Sequence, residues 1–332
     1  MQGKNGKKKS GLKKLKIKRY ITLDAFRGFA VFLMIFISAL YLLTYNIPFY
    51  LLHNQGDSFL FFDLVAPIFQ FGVGASLFFF ILHRRSHGFK RNEIAMQALW
   101  RYLVLIALGF ILDSITYVSL SSWGVLETLG IGGIITFLLA GRTNNEKILV
   151  SMIILTVYSF LYFNPIFYGL TSMPHGGPVG ALSYSVISII GFMVAEKLYY
   201  RKSNQIFFKS MLKTALVLIF LGSLLSLLIP FDKTHASPSF ILAATGIVMI
   251  FYLFFFTFYK RFNYTFDRLR EFGRTALTMY VIQYIFGWIF LFILQKKQFL
   301  DFIPGIITAV AVTIFMYFVA FILNKYKIRI SF

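Results

Sequence analysis

Phe59-Leu60-Phe61-Phe62-Asp63-Leu64-Val65-Ala66-Pro67-Ile68-Phe69 opens an apolar run that continues through Leu82, with Asp63 as its one charge. A bilayer-spanning helix needs about 20 mainly apolar residues. The run therefore reads as a membrane helix with a carboxylate in its first turn. The helix dipole favours a negative charge there, so capping alone accounts for Asp63. A carboxylate entering lipid is nevertheless costly, and such groups usually face protein, water or substrate. His53 lies ten positions earlier, in His53-Asn54-Gln55-Gly56-Asp57-Ser58. A histidine close to a carboxylate can be held in one tautomer and used as a base.

The rest of the chain follows the same pattern. It is 58% hydrophobic and 14% charged, with 42 Phe, whereas soluble domains carry about 25% charged residues. Its mean hydropathy is +0.75. Ten candidate spans stand out: Ile21–Tyr45, Phe59–Leu82, Ala98–Leu120, Gly124–Ala140, Ile148–Phe163, Pro178–Leu198, Met211–Ile229, Ser239–Tyr259, Thr275–Leu294 and Ile303–Leu323. The fourth and fifth are short. The fold expected is an all-α integral membrane protein with about ten transmembrane helices in one bundle. Residues 1–19, rich in Lys and Gly, read as a basic, disordered cytoplasmic arm near anionic lipid headgroups. Residues 20–332 read as one polytopic domain.

The formal charge is +21. In a soluble protein that would suggest nucleic acid. Here the basic residues sit in short stretches between apolar runs, the signature of orientation in a bilayer, and no nucleic-acid partner is expected. With the N-terminus cytoplasmic, alternate connections are basic, among them Arg84, Arg85, Arg142, Arg201, Lys202, Lys260 and Arg261. The outer set holds only Lys233, Lys296 and Lys297. Both termini are then cytoplasmic, and His53, His175 and His235 lie on or near the outer side. The absence of Cys excludes disulfides and thiolate chemistry, and the His spacing suggests no metal site. Gly72-Val73-Gly74 and Gly130-Ile131-Gly132-Gly133 fit close helix packing rather than a nucleotide loop.

Several polar residues fall within or beside the apolar runs. Asp24 and Arg27, three apart on one helix face, are placed to form an ion pair. Asp113 and Glu127 flank a short outer turn, where solvation at the interface accounts for them. Glu196, beside Lys197, reads as a solvated helix end. His175 occupies the turn-forming stretch Met173-Pro174-His175-Gly176-Gly177-Pro178. From chemistry alone, His53 leads His175 only modestly as a reactive histidine.

Leu23-Asp24-Ala25-Phe26-Arg27-Gly28-Phe29-Ala30-Val31 resembles the opening of the heparan-α-glucosaminide N-acetyltransferase family. That family belongs to a wider set of transmembrane acyltransferases with a similar Asp-x-x-Arg-Gly signature. Phe62 to Gly74 resembles its second-helix signature, and the spacing from His53 to Asp63 is similar to that of its active-site histidine and aspartate. Gly124 to Gly130, Gly176 to Gly180, Ser237 to Leu242 and Phe272 to Tyr280 resemble further segments in order. There are departures. Ser38 stands where the family tends to carry Asn, with Asn46 further on, and Glu127 stands where it often has Gln. The aromatic residue that often follows the histidine is missing. The chain also lacks the large extra domain of the animal lysosomal enzyme, so the resemblance is to a small microbial member.

The resemblance implies transfer of an acetyl or longer acyl group from cytosolic acetyl-CoA or another acyl-CoA. The implied acceptor is a sugar or glycolipid amine or hydroxyl on the outer side of the plasma membrane. It implies no metal, a surrounding of membrane lipid and a homodimer as the suggested assembly. His53 would act as base or nucleophile, with Asp63 orienting it. Arg27, Arg101 and Arg274 are the candidates for the CoA phosphates, through charge-assisted bonds. Ser38, Asn46 and His175 are the candidates for the acceptor, and Asp24 and Glu127 are structural polar residues. A transporter or flippase for a lipid-linked or amphipathic solute is the alternative.

Overall fold

Long apolar segments that must satisfy their own backbone in lipid become helices, and the computed structural model is built of them. It describes residues 6–52, 58–117, 123–166, 171–294, 300–328 and 330. Eleven α-helices follow in order: α1 (Gly6–Leu43), α2 (Val65–Ser86), α3 (Arg91–Tyr117), α4 (Val125–Leu139), α5 (Asn144–Tyr162), α6 (Gly177–Tyr200), α7 (Asn204–Leu225), α8 (Pro238–Phe262), α9 (Asp267–Arg274), α10 (Ala276–Leu294) and α11 (Phe302–Lys325). Among the described residues no strand forms, and Thr44 and Leu300 make one isolated bridge. Each of the ten apolar runs contains a helix. Among the described residues eight helices are long and apolar enough to cross a membrane, and Val125–Leu139 and Ala276–Gly287 are shorter apolar helices. The fifth run, expected to be short, forms a 19-residue helix. Thr143 caps it: its side chain accepts the Glu146 N–H at 3.3 Å, and Glu146 accepts the Thr143 N–H at 2.7 Å.

The helices form two shells. In α1, α2, α6 and α8, 61–78% of the spanning residues are buried, against 17–22% in α3, α5, α7 and α11. The outer four present Trp100, Ile153, Phe160, Phe220, Phe315 and Phe318 at their exposed faces, as lipid contact requires. The central helices meet through glycine. A Cβ on Gly74 would stand 1.8 Å from the Ser188 carbonyl oxygen of α6, so α2 and α6 touch backbone to backbone. Between α1 and α9 the contact is reciprocal. A Cβ on Gly28 would meet the Leu269 oxygen at 1.7 Å, and one on Gly273 would meet the Asp24 oxygen at 1.8 Å. The neighbouring residues Arg27 and Arg274 line one cavity.

Buried charges pin the periphery to the centre. Lys147 on α5 is 1% exposed. Its ammonium lies 2.9 Å from Glu196 Oε2 on α6 and 4.6 Å from the centre of the Phe192 ring. Glu196, 29% exposed near the end of α6, is also the counter-charge that burying Lys147 requires, a role beyond that of a solvated helix end.

Candidate active site

Two polar regions stand out among the described residues. The first is a cavity of about 310 Å³, within the size range of small-molecule sites. Arg27 of α1, Arg101 of α3 and Arg274 at the end of α9 all line it. Three guanidinium groups from helices remote in sequence thus face one space. Asp24 and Arg101 both act electrostatically on Arg27, and Arg274 lies 3.4 Å from Glu271. Gly72 leaves room for the Arg27 stem: a Cβ there would lie 3.2 Å from Arg27 Cγ. The walls beyond the arginines are apolar, with Phe69, Val73, Leu105, Leu126 and Leu129, and carry the phenols of Tyr102 and Tyr280. Phe69 is six residues from Asp63, or about 9 Å along the helix.

The second region centres on Asp63, which is fully buried. The turn Phe61–Leu64 brings its Oδ2 onto the Leu60 N–H at 3.0 Å, the cap expected of an acidic residue at a helix start. Its Oδ1 lies 3.3 Å from the Lys233 ammonium. Burial pushes Lys233 below the ordinary lysine range, and Asp63 opposes that shift. Lys233 projects from a loop braced by its neighbours. Asp232 Oδ2 is 2.6 Å from His235 Nδ1 and accepts the Tyr162 hydroxyl at 3.2 Å. Tyr158 donates to the His235 carbonyl at 2.7 Å. His175, with a left-handed backbone (φ 58°) suited to its turn, places Nδ1 3.4 Å from the Tyr184 hydroxyl.

The other expected site residues are distributed as follows. His53 lies outside the described residues. Ser38 accepts a bond from Gln283 Nε2 of α10 at 2.5 Å. Asn46 is exposed, in a left-handed turn after α1. Asp113 and Glu127 are buried, at 3% and 0% exposure, where solvation at the interface was expected. Gly109 makes the room, since a Cβ there would fall 2.5 Å from Glu127 Cδ. Glu127 Oε2 accepts the Gly124 N–H at 3.1 Å, and Tyr280 donates to Tyr284 at 3.2 Å nearby. Lys233 and the Asp232–His235 contact were missed as site groups. The available signal was that Lys233 is one of only three outer lysines.

A cavity lined by three arginines and a buried Asp63–Lys233 pair lie within a shell of apolar helices, the build of a polytopic membrane protein. Among the described residues no group of acids and histidines is placed to hold a metal ion. Comparison with protein families matches residues 19–230 to "Heparan-alpha-glucosaminide N-acetyltransferase, catalytic". This is more than half of the chain, and the chain belongs to that family of acetyltransferases. A search of curated proteins finds no relative that matches the chain.

Proposed function

We propose that this protein transfers an acetyl or longer acyl group from acyl-CoA, bound from the cytoplasm, to a sugar or glycolipid amine or hydroxyl outside the plasma membrane. The observation that carries the reading is the convergence of Arg27, Arg101 and Arg274 on one cavity. CoA is a phosphate-rich anion on a slim, largely uncharged arm. The arginines suit its phosphates. The apolar walls beyond them suit the arm, whose thioester would travel toward Asp63. The basic helix ends on the arginine side, such as Arg84–Arg85 of α2 and Lys260–Arg261 of α8, favour a cytoplasmic position for that side and for both termini.

In this reading His53 is the reactive imidazole, either drawing the proton from the acceptor or taking the acyl group and passing it on. Asp63 stabilises positive charge on it, and Ser38, Asn46 and His175 are proposed to meet the acceptor. A homodimer in the bilayer is proposed from the family's assembly.

Calorimetric titration of the purified protein with acetyl-CoA tests this reading. Binding is expected, and Arg27→Gln is expected to weaken it by about 10–100-fold, the worth of one charge-assisted contact. Absence of binding by the intact chain would overturn the reading and favour transport of an amphipathic solute.

A further inference from the structure

The outer loop between α7 and α8 holds an imidazole in a defined tautomer. His235 Nδ1 faces Asp232 Oδ2 at 2.6 Å. A carboxylate accepts, so Nδ1 carries a proton, and in the neutral ring the lone pair lies on Nε2. Asp232 is itself fixed. Its Oδ1 accepts the His235 N–H at 3.0 Å, and Oδ2 also accepts from Tyr162. The two side chains are 12% and 15% exposed, sheltered but within reach from the outer surface. Lys233, one of the two residues between them in the loop, reaches Asp63, which sets the pair beside the outer site. The match to the family ends at residue 230, just short of this loop.

The loop is also closed by bonds that leave the ring out. The Asp232 N–H donates to Ser237 Oγ at 2.9 Å, the Ser237 N–H donates to the Asp232 carbonyl at 2.8 Å, and Ser237 donates to the Pro230 carbonyl at 2.8 Å. None of these involves the imidazole. A histidine oriented by a carboxylate, on a loop already closed by other bonds, has the arrangement of an acid–base pair.

We propose that Asp232 and His235 form the acceptor-side base of the acyl transfer, with His235 Nε2 taking the proton from the incoming sugar amine or hydroxyl. The proposal rests on the acyl-transfer reading above. As the acceptor's nitrogen or oxygen bonds to the acyl carbon, the bond from that carbon to its donor breaks, the sulfur of CoA in the overall balance. The acceptor's proton moves to Nε2 and then to outer water, CoA leaves as a thiolate that takes a proton from water on its own side, and Asp232 stabilises the imidazolium. An acylated His53 would be a poor base, because acylation of one ring nitrogen sharply lowers the basicity of the other.

The test compares the intact chain with His235→Gln and Asp232→Asn in proteoliposomes. Acetyl-CoA is the donor. The acceptors are the best sugar from a panel of amino and neutral sugars and, separately, hydroxylamine, an amine already unprotonated at neutral pH. His235→Gln is expected to lose about a hundredfold in kcat toward the sugar, with KM for acetyl-CoA unchanged and hydroxylamine transfer kept. Asp232→Asn should fall between. Intact-chain kinetics on the sugar in His235→Gln would overturn the proposal. So would an equal loss on both acceptors, which would mark a structural role. If the intact chain acylates nothing, the acyl-transfer reading itself fails.

Discussion

Lys233→Met is expected to destabilise the folded protein by about 3–5 kcal/mol, the cost of removing one partner from a buried ion pair. Asp63 is fully buried, with one oxygen on the Leu60 N–H and the other facing the Lys233 ammonium. Methionine keeps the length and apolar stem of lysine but leaves the carboxylate without the cation that faces it. The pair is not a large net stabiliser, since burial already disfavours the lysine's charge. The double variant Asp63→Asn/Lys233→Met should therefore recover most of the loss, with a coupling energy well beyond the sum of independent sites. Denaturation midpoints of the four proteins in detergent measure this. A single variant within 1 kcal/mol of the intact chain would show that the pair is not coupled to folding.

His53→Ala is expected to lower acyl transfer by about a thousandfold or more, with yield and thermal stability near those of the intact chain. Removing a base commonly costs about 10²–10⁴-fold, and removing a nucleophile more. Stability should hold because the substitution removes a polar side chain from the polar sequence His53-Asn54-Gln55-Gly56-Asp57 and deletes no apolar group. Single-turnover transfer from labelled acetyl-CoA separates the loss of chemistry from the loss of binding, and acetyl-CoA affinity should be unchanged. Transfer within tenfold of the intact chain would remove His53 from the centre of the mechanism.

The spans were legible because lipid tolerates little except long apolar helices. Even the short α4 lay within an apolar run. The helix that was not legible is α9, Asp267–Arg274. It is eight residues long and too polar to span, so no hydropathy pattern marks it. It matters because Gly273 docks it against Gly28, and Arg274 then lines the same cavity as Arg27. The residue types suited to an anion could be named from Arg27, Arg101 and Arg274. Their meeting in one cavity is a tertiary fact that no spacing encodes. Glu127 looked solvated because its neighbours form a turn, but the space left by Gly109 takes it inside. Lys233 was visible only as an exception to the charge asymmetry. Its partner Asp63 is 170 residues away in the chain, beyond the reach of any local pattern.

The central claim is that donor and acceptor meet from opposite faces of the bilayer. Proteoliposomes with labelled acetyl-CoA on one side and acceptor sugar on the other, with the protein's orientation fixed by protease access to the basic termini, test it most directly. Labelled acetyl should reach the sugar only when the donor faces the Arg27–Arg101–Arg274 side and the sugar faces the Asp63 side. Equal transfer with both reagents on one face, or transfer with the donor only on the Asp63 side, would contradict the account.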